Sequence, residues 1–118
     1  MFTETLKKIV DNVDGGIGAV IMGVDGIPVD GYTRRSDKAD VQTIGTEFSF
    51  IVGQAQKAAM SLDLGKCSDI SVRAEQVVLL IHVLNEQYFL ATVIESAGNY
   101  GKARFLMRMA ASELAENL

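Results

Sequence analysis

The sequence predicts an α/β fold of the α+β sandwich type, in which one five-stranded antiparallel sheet carries helices on both faces. A hairpin from Ile17 to Tyr32 directly follows a short amphipathic segment. The alternating segment from Cys67 to Ala74 precedes two further apolar runs, which predicts a three-stranded meander. Two longer amphipathic segments complete the order α-β-β-α-β-β-β-α.

The first helix is predicted from Phe2 to Val13, where apolar residues recur at helical spacing and Gly15 follows. The strand from Ile17 to Gly23 is apolar on both alternating faces, which predicts an interior strand covered above and below. A Val-Asp-Gly-Ile turn leads to a shorter second strand. Pro28 should hold that strand near the sheet edge, because proline cannot donate a hydrogen bond to a central ladder.

The longest helix is predicted from Ala39 to Leu64, with Gly65 just past its end. Either Ser36 or Asp37, in the polar loop before it, is predicted to cap this helix. The stripe predicted to face the core comprises Val41, Ile44, Phe48, Ile51, Ala55, Ala59 and Leu62. A neighbouring stripe of small and mixed residues comprises Gly45, Ser49, Val52, Gly53, Gln56 and Met60.

Three antiparallel strands and a helix complete the chain. The strand from Cys67 to Ala74 alternates between apolar and polar residues, as a half-covered strand does. The run from Val77 to Leu84 is apolar on both faces apart from His82, and a turn then leads to a strand from Tyr88 to Glu95. A helix is predicted from about Asn99 to Glu116. Its inward face comprises Ala103, Leu106, Met107, Ala110 and Leu114.

Composition excludes several classes of function. A chain of 118 residues is predicted to form one domain, residues 1–118. Its 11 basic and 15 acidic residues, with no basic stripe, disfavour a nucleic-acid partner. A single cysteine and a single histidine allow no internal disulfide and no zinc site with several ligands, which fits a reducing, cytoplasmic compartment. No signal peptide, membrane span or membrane partner is predicted from the N-terminus MFTETLKKIV or from the apolar runs.

Two short features come near to catalytic or nucleotide-binding motifs. The glycine-rich turn from Gly98 to Lys102 lacks the spacing of a Walker A loop, since Ser96 stands where that loop has a glycine and Ala103 follows the lysine. Cys67 and His82 are the one thiol and imidazole pair in the chain, but the apolar strand around His82 indicates a core histidine. We therefore predict no catalytic residue, cofactor or metal, and a protein that is not an enzyme.

Several segments together resemble the Roadblock family, which takes its name from a dynein light chain. They are the Asp25-Gly26 turn with Pro28-Val29, the small-residue helix, the hairpin ISVRAEQVVLLIHVL and the helix start from Asn99 to Arg104. The resemblance covers nearly the whole chain, although each motif is degenerate alone. Bacterial members include MglB-type partners of small Ras-like GTPases, which act as GTPase activators. The chain has little before Phe2 and no tail after Leu118, so the resemblance does not carry over any role that extended termini play in such proteins.

The resemblance implies a homodimer with the long helices side by side on one sheet face and the terminal helices on the other. The small-residue stripe fits this, although packing of the first helix or of a bulky sheet side chain would also explain it. The strand from Cys67 to Ala74 should lie at a sheet edge, and pairing with its own copy would join two sheets. The predicted interface comprises Gly45, Phe48, Ser49, Val52, Gly53, Gln56, Met60, Asp69, Ile70, Ser71, Val72 and Arg73.

Phe50 is a large apolar side chain on the otherwise polar outer side of the long helix. It is either an aromatic anchor for a partner or an exposed aromatic without a function. The predicted GTPase contacts are Thr46, Phe50, Gln54 and Lys57. Arg34 and Arg35 are candidates for an arginine finger, although a solvated loop pair is the favoured interpretation.

These observations predict a non-catalytic, homodimeric platform that binds a small Ras-like GTPase and modulates its nucleotide cycle or its localisation. A heterodimer with a paralogue stays open. The alternative is a small-ligand sensor of profilin-like or PAS-like shape, which would bind a metabolite between sheet and helix. The interior polar candidates for such a site are His82, Tyr88 and Thr92.

Overall fold

The computed structural model describes residues 2–118, and these residues form three helices and five strands in the predicted order. The helices are α1 (Thr3–Asp11), α2 (Val41–Ser61) and α3 (Tyr100–Glu116). The strands are β1 (Gly16–Gly23), β2 (Pro28–Thr33), β3 (Asp69–Arg73), β4 (Val77–Val83) and β5 (Tyr88–Glu95).

The five strands form one antiparallel sheet in the order β2-β1-β5-β4-β3, which confirms the predicted fold class. Strand β1 is buried along its whole length, as its two apolar faces predict. Strand β2 begins with Pro28 and lies at one edge, where a missing N–H costs no ladder bond. Strand β3 lies at the other edge and pairs only with β4 among the described strands.

Two apolar layers cover the sheet. Helices α1 and α3 pack on one face, with Leu6, Val10, Ala103 and Met107 against residues such as Ile21 and Leu80. Helix α2 packs on the opposite face, with Val41 and Val52 against residues such as Val20, Met22 and Leu79. Strands β4 and β5 are therefore buried from both sides, which explains why their sequences are almost continuously apolar.

Several predicted boundaries and one predicted cap differ from the structure. Asp40, and not Ser36 or Asp37, caps α2, because its carboxylate accepts hydrogen bonds from the backbone N–H and the hydroxyl of Thr43, at 3.2 and 2.8 Å. Helix α2 ends at Ser61 and not at Leu64. After that end the chain turns through left-handed backbone at Asp63 and Gly65, with φ of 57° and 91°.

Candidate protein-protein interfaces

The face of α2 that packs on the sheet only partly matches the stripe that its apolar pattern predicts, since Val41 is buried and Ile44 and Phe48 are partly buried against the same layer. Its buried residues are Val41, Gly45, Ser49 and Val52, whereas Ile51 is 44% exposed and Leu62 is 67% exposed. A Cβ built on Gly45 would lie 3.0 Å from Met22 Cε, so the glycine lets the helix approach β1 closely. The helix is thus rotated about its axis towards the small-residue stripe relative to the prediction.

This rotation corrects part of the predicted dimer interface. Gly45, Ser49 and Val52 are buried against their own sheet, so their small size is explained by the sheet side chains of the same chain. Ser49 also donates its hydroxyl hydrogen bond within the helix, to the carbonyl of Thr46 at 2.7 Å. Gly53 is different, because a Cβ added there would meet no heavy atom within 4 Å. The other predicted interface residues, including Phe48, Gln56 and Met60 on this helix, stay a prediction.

The outer surface of α2 and the segment that follows it are unusually apolar. Phe50 is 69% exposed and Met60 is 62% exposed, and Leu62 and Leu64 extend this surface beyond the helix end. Large exposed apolar groups that cluster on one element are typical of a surface that binds another protein. The four predicted GTPase contacts, Thr46, Phe50, Gln54 and Lys57, are all exposed. They recur at helical spacing and therefore share one side of α2.

An open groove of about 960 Å³ separates the second half of α2 from the end of β4. Its walls include Gln56 and Met60 of the helix, Cys67 of the segment before β3, and Val83 and Leu84 at the end of β4. The groove lies beside the exposed residues of α2. It is larger than two other cavities among the described residues, which lie beside His82 and beside Arg34.

The free edge of the sheet is polar on one face and apolar on the other. Asp69, Ser71 and Arg73 point towards α3, where Arg104 Nη2 donates to Ser71 Oγ at 3.0 Å. Arg73 stacks on α3 as well, with its Cζ 4.8 Å from the centre of the Tyr100 ring. Ile70 and Val72 lie on the other face, where they pack beside the apolar layer under α2.

The surroundings of Cys67 and His82 differ from those of a catalytic pair. The β3–β4 register places Asp69, and not Cys67, opposite His82. The thiol of Cys67 instead lies 3.9 Å from the carbonyl oxygen of Asp69. Burial lowers the pKa of His82 below its usual value, with Asp69 opposing this shift and Arg108 adding to it. A lowered pKa keeps the imidazole neutral at pH 7.

The turn from Gly98 to Lys102 has a structural explanation. The side chain of Asn99 caps α3 by accepting a hydrogen bond from the Lys102 backbone N–H at 3.1 Å. The Lys102 backbone N–H is therefore already hydrogen-bonded to Asn99 and is not available to a bound phosphate. Arg34 and Arg35 are both exposed in the loop after β2, and Arg35 pairs with Asp37 at 3.4 Å.

The interior offers little to a small ligand. Thr92 is fully buried in the layer under α1 and α3, and its hydroxyl has no hydrogen-bond partner among the described residues. His82 borders a cavity of only about 20 Å³, which is room for a single water molecule. No cluster of three or more potential metal ligands occurs in residues 2–118. None of the three helices in this part of the chain has the length and apolar character needed to cross a bilayer.

Comparison with known proteins places the chain in a family. No protein-family model matches it, and no curated protein sequence matches it significantly. Among solved structures, the Roadblock/LC7 domain from Streptomyces avermitilis aligns with a TM-score of 0.82 at 16% identity, over 97% of this chain and 94% of that one. MglC from Myxococcus xanthus is 30% identical, with a TM-score of 0.71, over 99% of this chain and 98% of that one. The chain belongs to the Roadblock family.

Other solved structures share the fold of this Roadblock protein. The gliding protein MglB from Thermus thermophilus aligns with a TM-score of 0.82 at 17% identity, covering 96% of this chain and 84% of that one. Profilins of Acanthamoeba castellanii also align, which confirms the predicted profilin-like architecture. The family and the fold predicted from the sequence are therefore both confirmed.

Proposed function

We propose that this Roadblock protein is a non-enzymatic, cytoplasmic homodimer that binds a small Ras-like GTPase and modulates its nucleotide cycle or its localisation. The observation that carries the proposal is the exposed apolar surface along α2, on the same molecule as a free sheet edge at β3. Family membership supports a regulatory role, since the bacterial Roadblock proteins that this chain resembles include partners of such GTPases.

The dimer is supported by two features of one chain. Strand β3 ends the sheet with unpaired backbone groups, and such an edge is a template for pairing with another strand. Met60, Leu62 and Leu64 are exposed where α2 ends. Burying these apolar side chains against a second copy would lower the free energy, because it removes apolar surface from water. A structure of MglB, 18% identical to this chain, has a tetrameric arrangement, so association between copies occurs on this fold.

The GTPase surface is proposed on the exposed side of α2. Phe50 is the largest apolar side chain there, and buried aromatic anchors dominate binding energy in protein interfaces. Lys57 adds a positive charge on the same side of the helix. Thr46 lies beside the β1–β2 turn, and its hydroxyl donates to the carbonyl of Gln42 at 3.1 Å.

The test uses the small Ras-like GTPase whose gene lies nearest to the gene of this protein. GTP turnover is measured with and without the Roadblock protein, and binding is measured by calorimetry to the GTPase loaded with GDP or with a non-hydrolysable GTP analogue. Faster turnover supports activation, whereas tight binding to the GTP form alone supports holding or placement. The absence of both binding and a change in the rate of GTP turnover would overturn the GTPase proposal.

Phe50→Ala sharpens this test, with Phe105→Ala as its matched control. Phe105 is 56% exposed on α3, on the opposite face of the sheet. We expect Phe50→Ala to weaken GTPase binding at least about tenfold, as truncation of an aromatic anchor does, and Phe105→Ala to leave it unchanged. If Phe50→Ala bound the GTPase as tightly as Phe105→Ala, Phe50 would be excluded as the anchor of the contact.

The groove beside α2 is the one observation that favours the alternative, a small-ligand sensor. Its position argues against the predicted form of that alternative, because it lies outside the packed layer between sheet and helix. Gln56 and Met60, which line it, also belong to the predicted dimer interface. A ligand that raises the melting temperature of the dimer but not that of Met60→Ala would support the sensor.

A further inference from the structure

The two charged residues of β3 are placed symmetrically about its centre. The strand reads Asp69-Ile70-Ser71-Val72-Arg73, so its acidic and basic ends are equally far from Ser71. Both side chains are exposed, and neither has an ion-pair partner within residues 2–118. Both point to the α3 face of the sheet, as the Ser71 and Arg73 contacts with α3 show.

The backbone of β3 decides which residues face the free edge. Val83 N donates to Ser68 O at 2.9 Å, and Ala74 N donates to Val77 O at 3.0 Å, so residues 68 and 74 bond to β4. Hydrogen-bonding direction alternates along an antiparallel strand. The N–H and C=O groups of Asp69, Ser71 and Arg73 therefore point away from β4 and are available to a further strand.

Only a few registers let this edge pair with its own copy. Residues opposite each other in an antiparallel pair share both hydrogen-bonding direction and face. One residue of β3 must then lie directly opposite its own copy, and the two-fold axis passes midway between these two copies; below, an axis is named by that residue. The axes within the central part of β3 are those at Ile70, Ser71 or Val72.

These three registers differ in their charge pairs. An axis at Ile70 places Asp69 opposite Ser71, which leaves the carboxylate without a cation. An axis at Val72 places Asp69 opposite Glu75, and like charges directly opposite destabilise a sheet. An axis at Ser71 places Asp69 opposite Arg73 twice, and also places Ile70 opposite Val72 twice on the α2 face.

We infer that the two β3 strands of the proposed homodimer pair in the register centred on Ser71, and that Asp69 and Arg73 select the partner strand. The inference rests on the proposed homodimer and specifies its pairing. Both faces of the junction are then complementary, with opposite charges beside α3 and β-branched side chains beside α2. A paralogue with two like charges at these positions would make one attractive and one repulsive pair, so these contacts favour the second copy over it.

Charge reversal tests the pairing. Asp69→Arg gives a strand with two basic ends, and Arg73→Asp gives one with two acidic ends. In the register centred on Ser71, each variant repels itself at two sites, so we expect its dimer dissociation constant to rise at least about tenfold. An equimolar mixture of the two variants restores opposite charges at both sites and should form a heterodimer, and the double variant should recover the homodimer.

Masses are measured by light scattering at micromolar concentration, with one variant carrying a larger tag so that the heterodimer is distinguished. A wild-type monomer would overturn the proposed homodimer and with it this inference. If the wild type is a dimer and both charge variants dimerise as tightly as the wild type, the register alone would be overturned. A mixture of the two variants that stays monomeric would also overturn it.

Cross-linking gives an independent measurement. In a Cys67→Ser background, Ser71→Cys places two thiols on the two-fold axis, with Cα atoms about 5.5 Å apart, within the range of a disulfide. Ile70→Cys is the matched control, because its two copies then lie diagonally, about 7–8 Å apart. Oxidation should link Ser71→Cys and not Ile70→Cys; the reverse result would place the axis at Ile70 and refute the proposed register.

Discussion

Gly45 lies directly against Met22, and this contact sets the position of α2 on the sheet. A Cβ at Gly45 would be 3.0 Å from Met22 Cε and 3.1 Å from Val20 Cγ1, which is closer than ordinary van der Waals contact. The side chains of β1 therefore fill the space that a larger residue at position 45 would need. The opposite condition holds at Gly53, where the space is open.

Gly45→Leu should lower the free energy of unfolding by about 1–3 kcal/mol, because a larger side chain forces Met22 and the helix apart. Gly53→Ala is its control and should raise the free energy of unfolding by up to about 1 kcal/mol, since alanine is the better helix former and meets no neighbour. Urea unfolding of both variants checks this. Equal stability of Gly45→Leu and the wild type would contradict the packing described for α2.

Thr92→Val should stabilise the protein by about 1 kcal/mol or more. The Thr92 hydroxyl is fully buried without a hydrogen-bond partner among the described residues, and an unsatisfied buried group costs about 1–3 kcal/mol. Valine has nearly the same shape and no polar atom. Thr92→Ser keeps the hydroxyl but loses the methyl group, so it should destabilise. A loss of stability in Thr92→Val, measured by urea unfolding, would indicate that the hydroxyl has a partner.

Asp40 should contribute to the stability of the protein in a pH-dependent way. The Thr43 backbone N–H lowers the pKa of Asp40 below its usual value, because it binds the charged carboxylate. The contribution is complete above the unfolded pKa near 3.8 and is lost as the pH falls through the lower folded pKa. Thermal melts from pH 6 to pH 2 should show a smaller acid loss for Asp40→Asn than for the wild type.

The controls for this cap follow from its chemistry. Asp40→Asn keeps an oxygen that accepts the Thr43 hydrogen bond but does not titrate, so its melting temperature at neutral pH should stay close to that of the wild type. Asp40→Ala removes the acceptor and should melt at a lower temperature at neutral pH. The cap has no role in stability if Asp40→Ala melts like the wild type.

Gly53→Leu should weaken the proposed dimer without harming the fold of one chain. A Cβ at this position meets nothing within 4 Å in the protomer, so we expect the leucine to cost most where a second copy approaches α2. Sedimentation across a concentration series measures the dissociation constant, and circular dichroism checks that the fold is unchanged. Unaltered dimer affinity would exclude Gly53 from the interface.

The order and type of the elements could be predicted from the sequence because their signals are local. Alternation in the strands, the apolar runs of β1 and β4, and Gly65 after the long helix each lie within a few residues of the element that they define. The cap of α2 was missed because several polar residues in the preceding loop fit that role equally well. Only the path of the loop decides that Asp40 meets Thr43.

The candidate interfaces were predicted only in part. Phe50 and Lys57 are exposed as expected, because an outer polar side of a helix is visible in its periodicity. Gly45, Ser49 and Val52 were placed on a surface although they are buried. The helical pattern contains two adjacent stripes, and both contribute residues to the packing on the sheet, whereas hydrophobicity alone favours only the first.

The sequence by itself determined which segments form helices and strands, and in which order they occur. The tertiary structure alone decided how α2 is rotated on the sheet. Protein interiors are closely packed, and Gly45 permits a close approach of the helix to Met22 and Val20 although it adds no apolar surface. Ile51 and Leu62 are left facing outward for this reason, and whether an apolar side chain faces its own core or a partner depends on packing between residues far apart in the chain.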